Sequence, residues 1–148
     1  MENFNVLLVD DEPEFLETLV KRLKKRGLNI STAKSGEEAL TVIMGKGIDV
    51  AVLDVRMPGI DGIQTLREIK KLDPLMEVIM LTGHASIEVA IEGMELGAYD
   101  YLMKPADIDE LFYKLQDAFK KRTIQQEKIG KLEDLVSCKS KTKGVILK

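Results

Sequence analysis

Five short apolar runs alternate with five stretches of helical periodicity along this chain. The first run, Val6-Leu7-Leu8-Val9, closes on Asp10-Asp11-Glu12. Pro13 then suits a first helical turn, with Asp11 or Glu12 as the cap, and Phe15, Leu16, Leu19, Val20 and Leu23 recur at 3.6-residue spacing until Lys24-Lys25-Arg26 and Gly27. A short strand follows over Leu28–Ala33. Ser35-Gly36-Glu37-Glu38 opens a second helix bearing Ala39, Leu40, Ile43 and Met44. The third run, Ile48 to Leu53, is continuously apolar and stops at Asp54; such a run suits a strand covered on both faces, as in a parallel sheet.

The second half repeats the alternation. A turn rich in Pro and Gly, Met57-Pro58-Gly59 and Asp61-Gly62, leads into a helix from Ile63 to about Lys71, broken by Asp73-Pro74. Glu77–Thr82 reads as a fourth strand and Ser86–Leu96 as a fourth helix stopped by Gly97. Asp100–Lys104 reads as a short fifth strand, and a fifth helix from Ala106 carries Ile108, Leu111, Phe112, Leu115 and Phe119. Strands separated by single helices require right-handed crossovers. The predicted fold is therefore α/β: a doubly wound, five-stranded parallel sheet with helices on both faces.

Composition narrows the class. The chain has 148 residues, 45% of them hydrophobic and 32% charged, which suits one domain plus a tail. No apolar run approaches the ~20 residues of a membrane span, and the N-terminus has no basic leader region. A lone cysteine, Cys138, excludes an intramolecular disulfide or a cysteine-based metal cluster and suits a cytoplasmic setting. Residues 1–119 carry 13 Lys/Arg and 22 Asp/Glu, net −9, whereas residues 120–148 carry 9 against 3, net +6. An acidic body argues against direct contact with nucleic acid.

Chemistry gathers at the predicted strand ends. Strands one, three, four and five end in Asp10-Asp11, Asp54, Thr82 and Lys104, and in a parallel sheet these ends share one edge. Taken singly, Asp10 and Asp11 suit a helix cap, Asp54 a strand terminus and Lys104 a solvated surface. Together they make a cluster of three carboxylates, in which one pair at 4 Å costs about 4 kcal/mol at an effective dielectric of 20. A hard divalent cation with oxygen ligands, most simply Mg2+, relieves that repulsion, and Lys104 adds a further positive charge. A carboxylate so placed is a candidate nucleophile toward a phosphoryl donor.

The segments VLLVDDE (Val6–Glu12), VLDVRMPGIDG (Val52–Gly62), MLTGHA (Met80–Ala85) and GAYDYLMKP (Gly97–Pro105) resemble the receiver domains of bacterial two-component response regulators, and the likeness extends from Asn5 to Phe119. The wording TGHAS and GAYDYLMKP is similar to receivers attached to ATPase-type transcription activators. The resemblance implies the flavodoxin-like strand order 2-1-3-4-5. It also implies that Asp54 accepts a phosphoryl group from a sensor histidine kinase or phosphotransfer protein. Mg2+ is then expected on Asp10, Asp11, Asp54 and the backbone carbonyl of Arg56, with Lys104 and Thr82 on the phosphoryl oxygens. Tyr101 is expected to swing inward with Thr82, and the Lys104–Pro105 peptide is expected to be cis. The output surface implied is helix four, strand five and helix five.

The remaining candidates have plainer readings. His84, the one histidine, reads as a loop residue near the cleft mouth, tuning the phosphoryl lifetime together with Arg56. Asp61 reads as a turn residue and the methionines as core filler. The domain division expected is 1–120 for the receiver and 121–148 for a basic tail, helical at first and disordered from about Ser137. Positions 111, 115, 118, 122, 125, 129, 132 and 136 follow heptad spacing, but Arg122 and Gln125 occupy two of them and Gly130 interrupts the helix. A homodimer through helix four, strand five and helix five, or through this C-terminal helix, is the other candidate partner arrangement. No helix-turn-helix and no GxxxxGK[ST] segment follows Phe119, so neither DNA binding nor ATP hydrolysis is expected of this chain. Two rival readings are an aspartyl phosphatase, which would carry DxDx[TV] after its first strand, and a phosphorylation-independent interaction module, which would lack one of the site residues.

Overall fold

A computed structural model describes residues 3–56, 60–83 and 87–146. The elements in order are β1 (Asn5–Val9), α1 (Pro13–Lys25), β2 (Asn29–Ala33), α2 (Gly36–Gly45), β3 (Val50–Asp54), α3 (Gly62–Leu72), β4 (Glu77–Thr82), α4 (Ile87–Glu95), β5 (Asp100–Met103) and α5 (Ile108–Ile146). All strand pairs are parallel, as the alternation predicts, and the sheet order is β2-β1-β3-β4-β5, as the resemblance implies.

Strand alternation divides the core in two. Val6 and Leu8 of β1, Val50 and Val52 of β3, Ile79 and Leu81 of β4 and Leu102 of β5 pack with Leu16, Leu19 and Leu23 of α1 and Leu111, Phe112 and Leu115 of α5. Leu7, Val9, Ala51, Leu53, Val78 and Met80 face the other way, onto Ala39 of α2 and Leu66 and Ile69 of α3. β3 and β4 are buried at every residue, which accounts for the apolar runs Val50–Leu53 and Val78–Leu81 within them.

Local chemistry sets the helix ends. Ser35 accepts the Glu38 amide at 3.1 Å and Asp61 accepts the Gln64 amide at 2.8 Å, so Asp61 caps α3 and serves the turn, as expected. Gly27 closes α1 in the left-handed conformation at φ +88°. The cap of α1 is Glu12, and its side chain makes no capping bond.

The C-terminal region departs from expectation. α5 continues through Gly130 to Ile146, where the sequence predicts an interruption and then disorder from Ser137. One glycine costs about 1 kcal/mol relative to alanine in a helix interior. A helix already nucleated on the body extends past it without paying for a new first turn. The seam reading is also revised at Arg122, which is buried against its own body and ion-paired with Asp73 at 2.9 Å and Asp49 at 3.6 Å. Lys121 reaches Glu77 at 3.5 Å. Beyond these pairs Ile129, Leu132 and Val136 are exposed. Among the described residues no helix is long and apolar enough to cross a membrane.

Candidate functional site

Register brings the strand-end residues together. Val9 pairs with Leu53, so Asp10 and Asp54 are next to each other, and Asp54 pairs with Leu81, one residue before Thr82. Thr82 pairs with Met103, one residue before Lys104. Asp10, Asp54 and Lys104 also share the alternation of Leu8, Val52 and Leu102, the residues facing α1 and α5. Three separate strands therefore aim one side chain each at the same side of the same edge.

The carboxylates are crowded and partly dry. Asp10 and Asp54 are buried, while Asp11 and Glu12 are exposed at the rim. One carboxylate oxygen from each of Asp10, Asp11, Glu12 and Asp54 lies within 4.8 Å of the others. Lys104 is the cation set among them. Its Nζ donates to Asp10 Oδ2 at 2.7 Å and Glu12 Oε1 at 3.3 Å, stands 3.7 Å from Asp54 Oδ2, and lies over the Phe15 ring at 4.4 Å. Asp54 Oδ1 accepts the Arg56 amide at 3.3 Å, and the Arg56 side chain is exposed. Asp10 Oδ1 accepts the Glu12 amide at 2.9 Å.

These surroundings shift the titrations. Burial, then the Asp10 charge, push the Asp54 carboxyl up to about 6 against the opposing pull of Lys104. Burial disfavours the Lys104 ammonium, but its hydrogen bond to Asp10 and the charges of Asp10 and Asp54 outweigh that and hold its pKa above the usual lysine value. One lysine does not offset this many carboxylates. The donor set consists of hard oxygens in close convergence, which fits a divalent cation such as Mg2+.

The other sequence candidates are placed as follows. Thr82 is buried at the end of β4, and its carbonyl accepts the Lys104 amide at 2.8 Å. The Lys104–Pro105 peptide is cis. Tyr101 stands 43% exposed on β5; Met103 of the same strand and Ile91 and Met94 of α4 are exposed as well. His84 and the Met57-Pro58-Gly59 turn lie outside the described residues. Two members of the site escape the sequence reading: Glu12, treated there only as a cap, and Phe15, treated only as a core position.

Gly62 supports the site from beneath. A Cβ there would sit 2.6 Å from the Asp54 carbonyl oxygen and 2.7 Å from the Val55 Cα, so only glycine lets α3 start this close to the end of β3.

Comparison with known proteins agrees with this arrangement. Residues 6–116 match the response regulator receiver domain family. The chain is 40% identical over 117 residues to the transcriptional regulatory protein ZraR of Escherichia coli O157:H7, covering 79% of this chain and 26% of that protein. It is 36% identical over 127 residues to the DNA-binding transcriptional regulator NtrC of Salmonella typhimurium, covering 86% of this chain and 27% of that one. The chain thus spans about a quarter of the length of these curated relatives. Among solved structures, NtrX from Brucella abortus in complex with ADP superposes with a TM-score of 0.81 at 31% identity, over 85% of this chain and 29% of that one. A CheY-like receiver domain protein from Methanospirillum hungatei superposes with a TM-score of 0.79 at 28% identity, over 84% and 99%. With this fold, this strand-edge constellation and this match over most of its length, the chain belongs to the receiver domain family of two-component response regulators.

Proposed function

We propose that the chain is a phosphorylation-controlled switch in which Asp54 accepts a phosphoryl group from the phosphohistidine of a sensor kinase or phosphotransfer protein. The observation that carries this reading is the placement of Asp54. It is a buried carboxylate at the end of β3, beside Asp10 and 3.7 Å from the Lys104 ammonium. An Asp54 carboxylate oxygen forms the new bond to phosphorus as the bond from phosphorus to the imidazole nitrogen breaks, and the imidazole departs with that electron pair. Lys104 and Thr82 would contact the phosphoryl oxygens. The Arg56 amide, already on Asp54 Oδ1, fixes the carboxylate plane. Asp10, Asp11, Asp54 and the Arg56 carbonyl would hold Mg2+, which when bound neutralises charge on the carboxylates and the transferring group.

On this reading the chain catalyses only its own phosphorylation and dephosphorylation, in the cytoplasm. Phosphorylation adds close to two negative charges and three acceptor oxygens at Asp54. That charge draws Thr82 and Lys104, and Tyr101 turns inward from its exposed position. The surface of α4, β5 and α5 then presents a changed pattern to an output partner or to a second copy of the chain. The exposed apolar side chains of Ile91, Met94, Tyr101 and Met103, and the Ile129, Leu132 and Val136 stripe of α5, support such contacts. Residues 1–120 act as the switch and residues 121–148 as the connection to what it controls.

The test is intact mass after incubation with Mg2+ and acetyl phosphate. Wild type is expected to gain one phosphoryl increment, prevented when a chelator is present during the incubation and absent in Asp54→Ala. A folded wild type that gains no increment and fails to bind beryllofluoride would sink the proposal in favour of a phosphorylation-independent interaction module.

A further inference from the structure

Lys104 is gathered toward α1. Of the three carboxylates around its Nζ, Asp10 is nearest at 2.7 Å, Glu12 follows at 3.3 Å and Asp54 is most distant at 3.7 Å. The Phe15 ring, 4.4 Å away in the first turn of α1, adds a cation–π contact on that same side. The ammonium that the phosphoryl group requires is thus engaged elsewhere before any phosphoryl group arrives.

Glu12 is the unexplained member of this arrangement. It occupies the N-cap of α1, where Ser, Thr, Asp or Asn would bond the helix amides, yet its side chain makes no capping bond. Its backbone amide is taken by Asp10 Oδ1 at 2.9 Å, which fixes the residue at the rim of the cleft. Its carboxylate, 65% exposed and able to remain in water, is instead turned onto Lys104. Nothing in the packing of α1 requires that contact.

We infer that Glu12 is a positioning residue that competes with the phosphoryl group for Lys104. It holds the ammonium on the α1 side of the cleft and so slows phosphorylation of Asp54. The inference rests on the phosphoacceptor reading of Asp54. Glu12 forms no covalent bond and transfers no proton; it contributes a contact that must break before Lys104 can serve the transferring group. A partly exposed ion pair of this kind corresponds to about a two- to fivefold effect on a rate or equilibrium.

The experiment is a double-mutant cycle in the full chain with Glu12→Gln, Lys104→Met and the double variant. At saturating Mg2+, the rate of phosphorylation by acetyl phosphate is expected to rise about two- to fivefold in Glu12→Gln, and this gain should vanish in the Lys104→Met background. Glu14→Gln removes the same charge from the same helical turn at a residue outside the carboxylate cluster, and it should leave the rate unchanged. In metal-free protein, urea unfolding of the same four proteins should show a Glu12–Lys104 coupling of about two- to fivefold in the unfolding equilibrium constant. An unchanged or slower Glu12→Gln, an equal gain in Glu14→Gln, a gain that persists without Lys104, or zero coupling in urea overturns the inference. A wild type that accepts no phosphoryl group overturns the phosphoacceptor reading and this inference with it. A phosphorylated wild type with unchanged Glu12→Gln overturns this inference alone.

Discussion

Replacing Asp54 by asparagine should stabilise the metal-free protein, and the gain should depend on pH in a defined way. The Asp54 carboxyl titrates at about 6 in the folded protein against 3.8 for an ordinary aspartate, because burial and Asp10 penalise its ionised form more than Lys104 favours it. A folded pKa raised above the unfolded value contributes stability that is fully present below the unfolded pKa and is lost as pH rises through the folded one. Ionised Asp54 therefore weakens the fold. With about 1.4 kcal/mol for each pH unit between the two values, the penalty approaches about 3 kcal/mol at pH 8. The same linkage gives about 1.5 kcal/mol at pH 5 and about 0.5 kcal/mol at pH 4. Asparagine keeps the shape and an acceptor for the Arg56 amide but carries no charge. The assay is urea unfolding of wild type and Asp54→Asn with a chelator present, at pH 8, 6 and 5, extrapolated to water. The difference should be largest at pH 8 and about half as large at pH 5. Added Mg2+ should shrink it by stabilising wild type selectively. No gain at pH 8, or an equal gain at all three pH values, refutes the reasoning.

Other substitutions probe the supports of the site. Lys104→Met leaves buried Asp10 and Asp54 facing each other without their cation and should cost about 3 kcal/mol in metal-free urea unfolding at pH 7, recovered in part by lowering the pH. Gly62→Ala drives a methyl group into the backbone of Asp54 and Val55, so a loss on the order of 2 kcal/mol is expected, together with slower phosphorylation by acetyl phosphate. Arg122→Ala unpairs Asp49 and Asp73 where α5 leaves the body and should lower stability by about 2 kcal/mol without changing the phosphorylation rate.

The parallel α/β sheet and the carboxylate edge are legible in the sequence because both follow from local pattern, whereas the strand order is legible only through the resemblance to receiver domains. An unbroken apolar run such as Val50–Leu53 reports a strand covered on two faces, and the residue that ends it is carried to the edge by geometry alone. Asp61 is readable as a turn residue because an N-cap bond spans only three positions. What escapes the sequence is contact across long separations. Glu12 meets Lys104 over 92 positions, and nothing near Glu12 distinguishes a cap from a lysine partner. Phe15 shows the periodicity of a core residue, and its use as a face for Lys104 appears only when β5 is brought over α1. Arg122 interrupts an apolar seam in sequence, yet its two aspartates come from β3's approach and the end of α3. Gly130 misleads for a different reason: its helix cost is small beside the stability inherited from the anchored part of α5.

The central claim is that Asp54 itself carries the phosphoryl group, and direct localisation of the acyl phosphate tests it. Protein incubated with Mg2+ and acetyl phosphate is treated with borohydride, which reduces an aspartyl phosphate to homoserine, and is then digested and sequenced by tandem mass spectrometry. The account predicts homoserine at position 54 in the phosphorylated sample and aspartate there in the sample without acetyl phosphate, with Asp10 and Asp11 intact in both. Homoserine at position 10 or 11, or at none of the three while the intact protein carries the added mass, would contradict it.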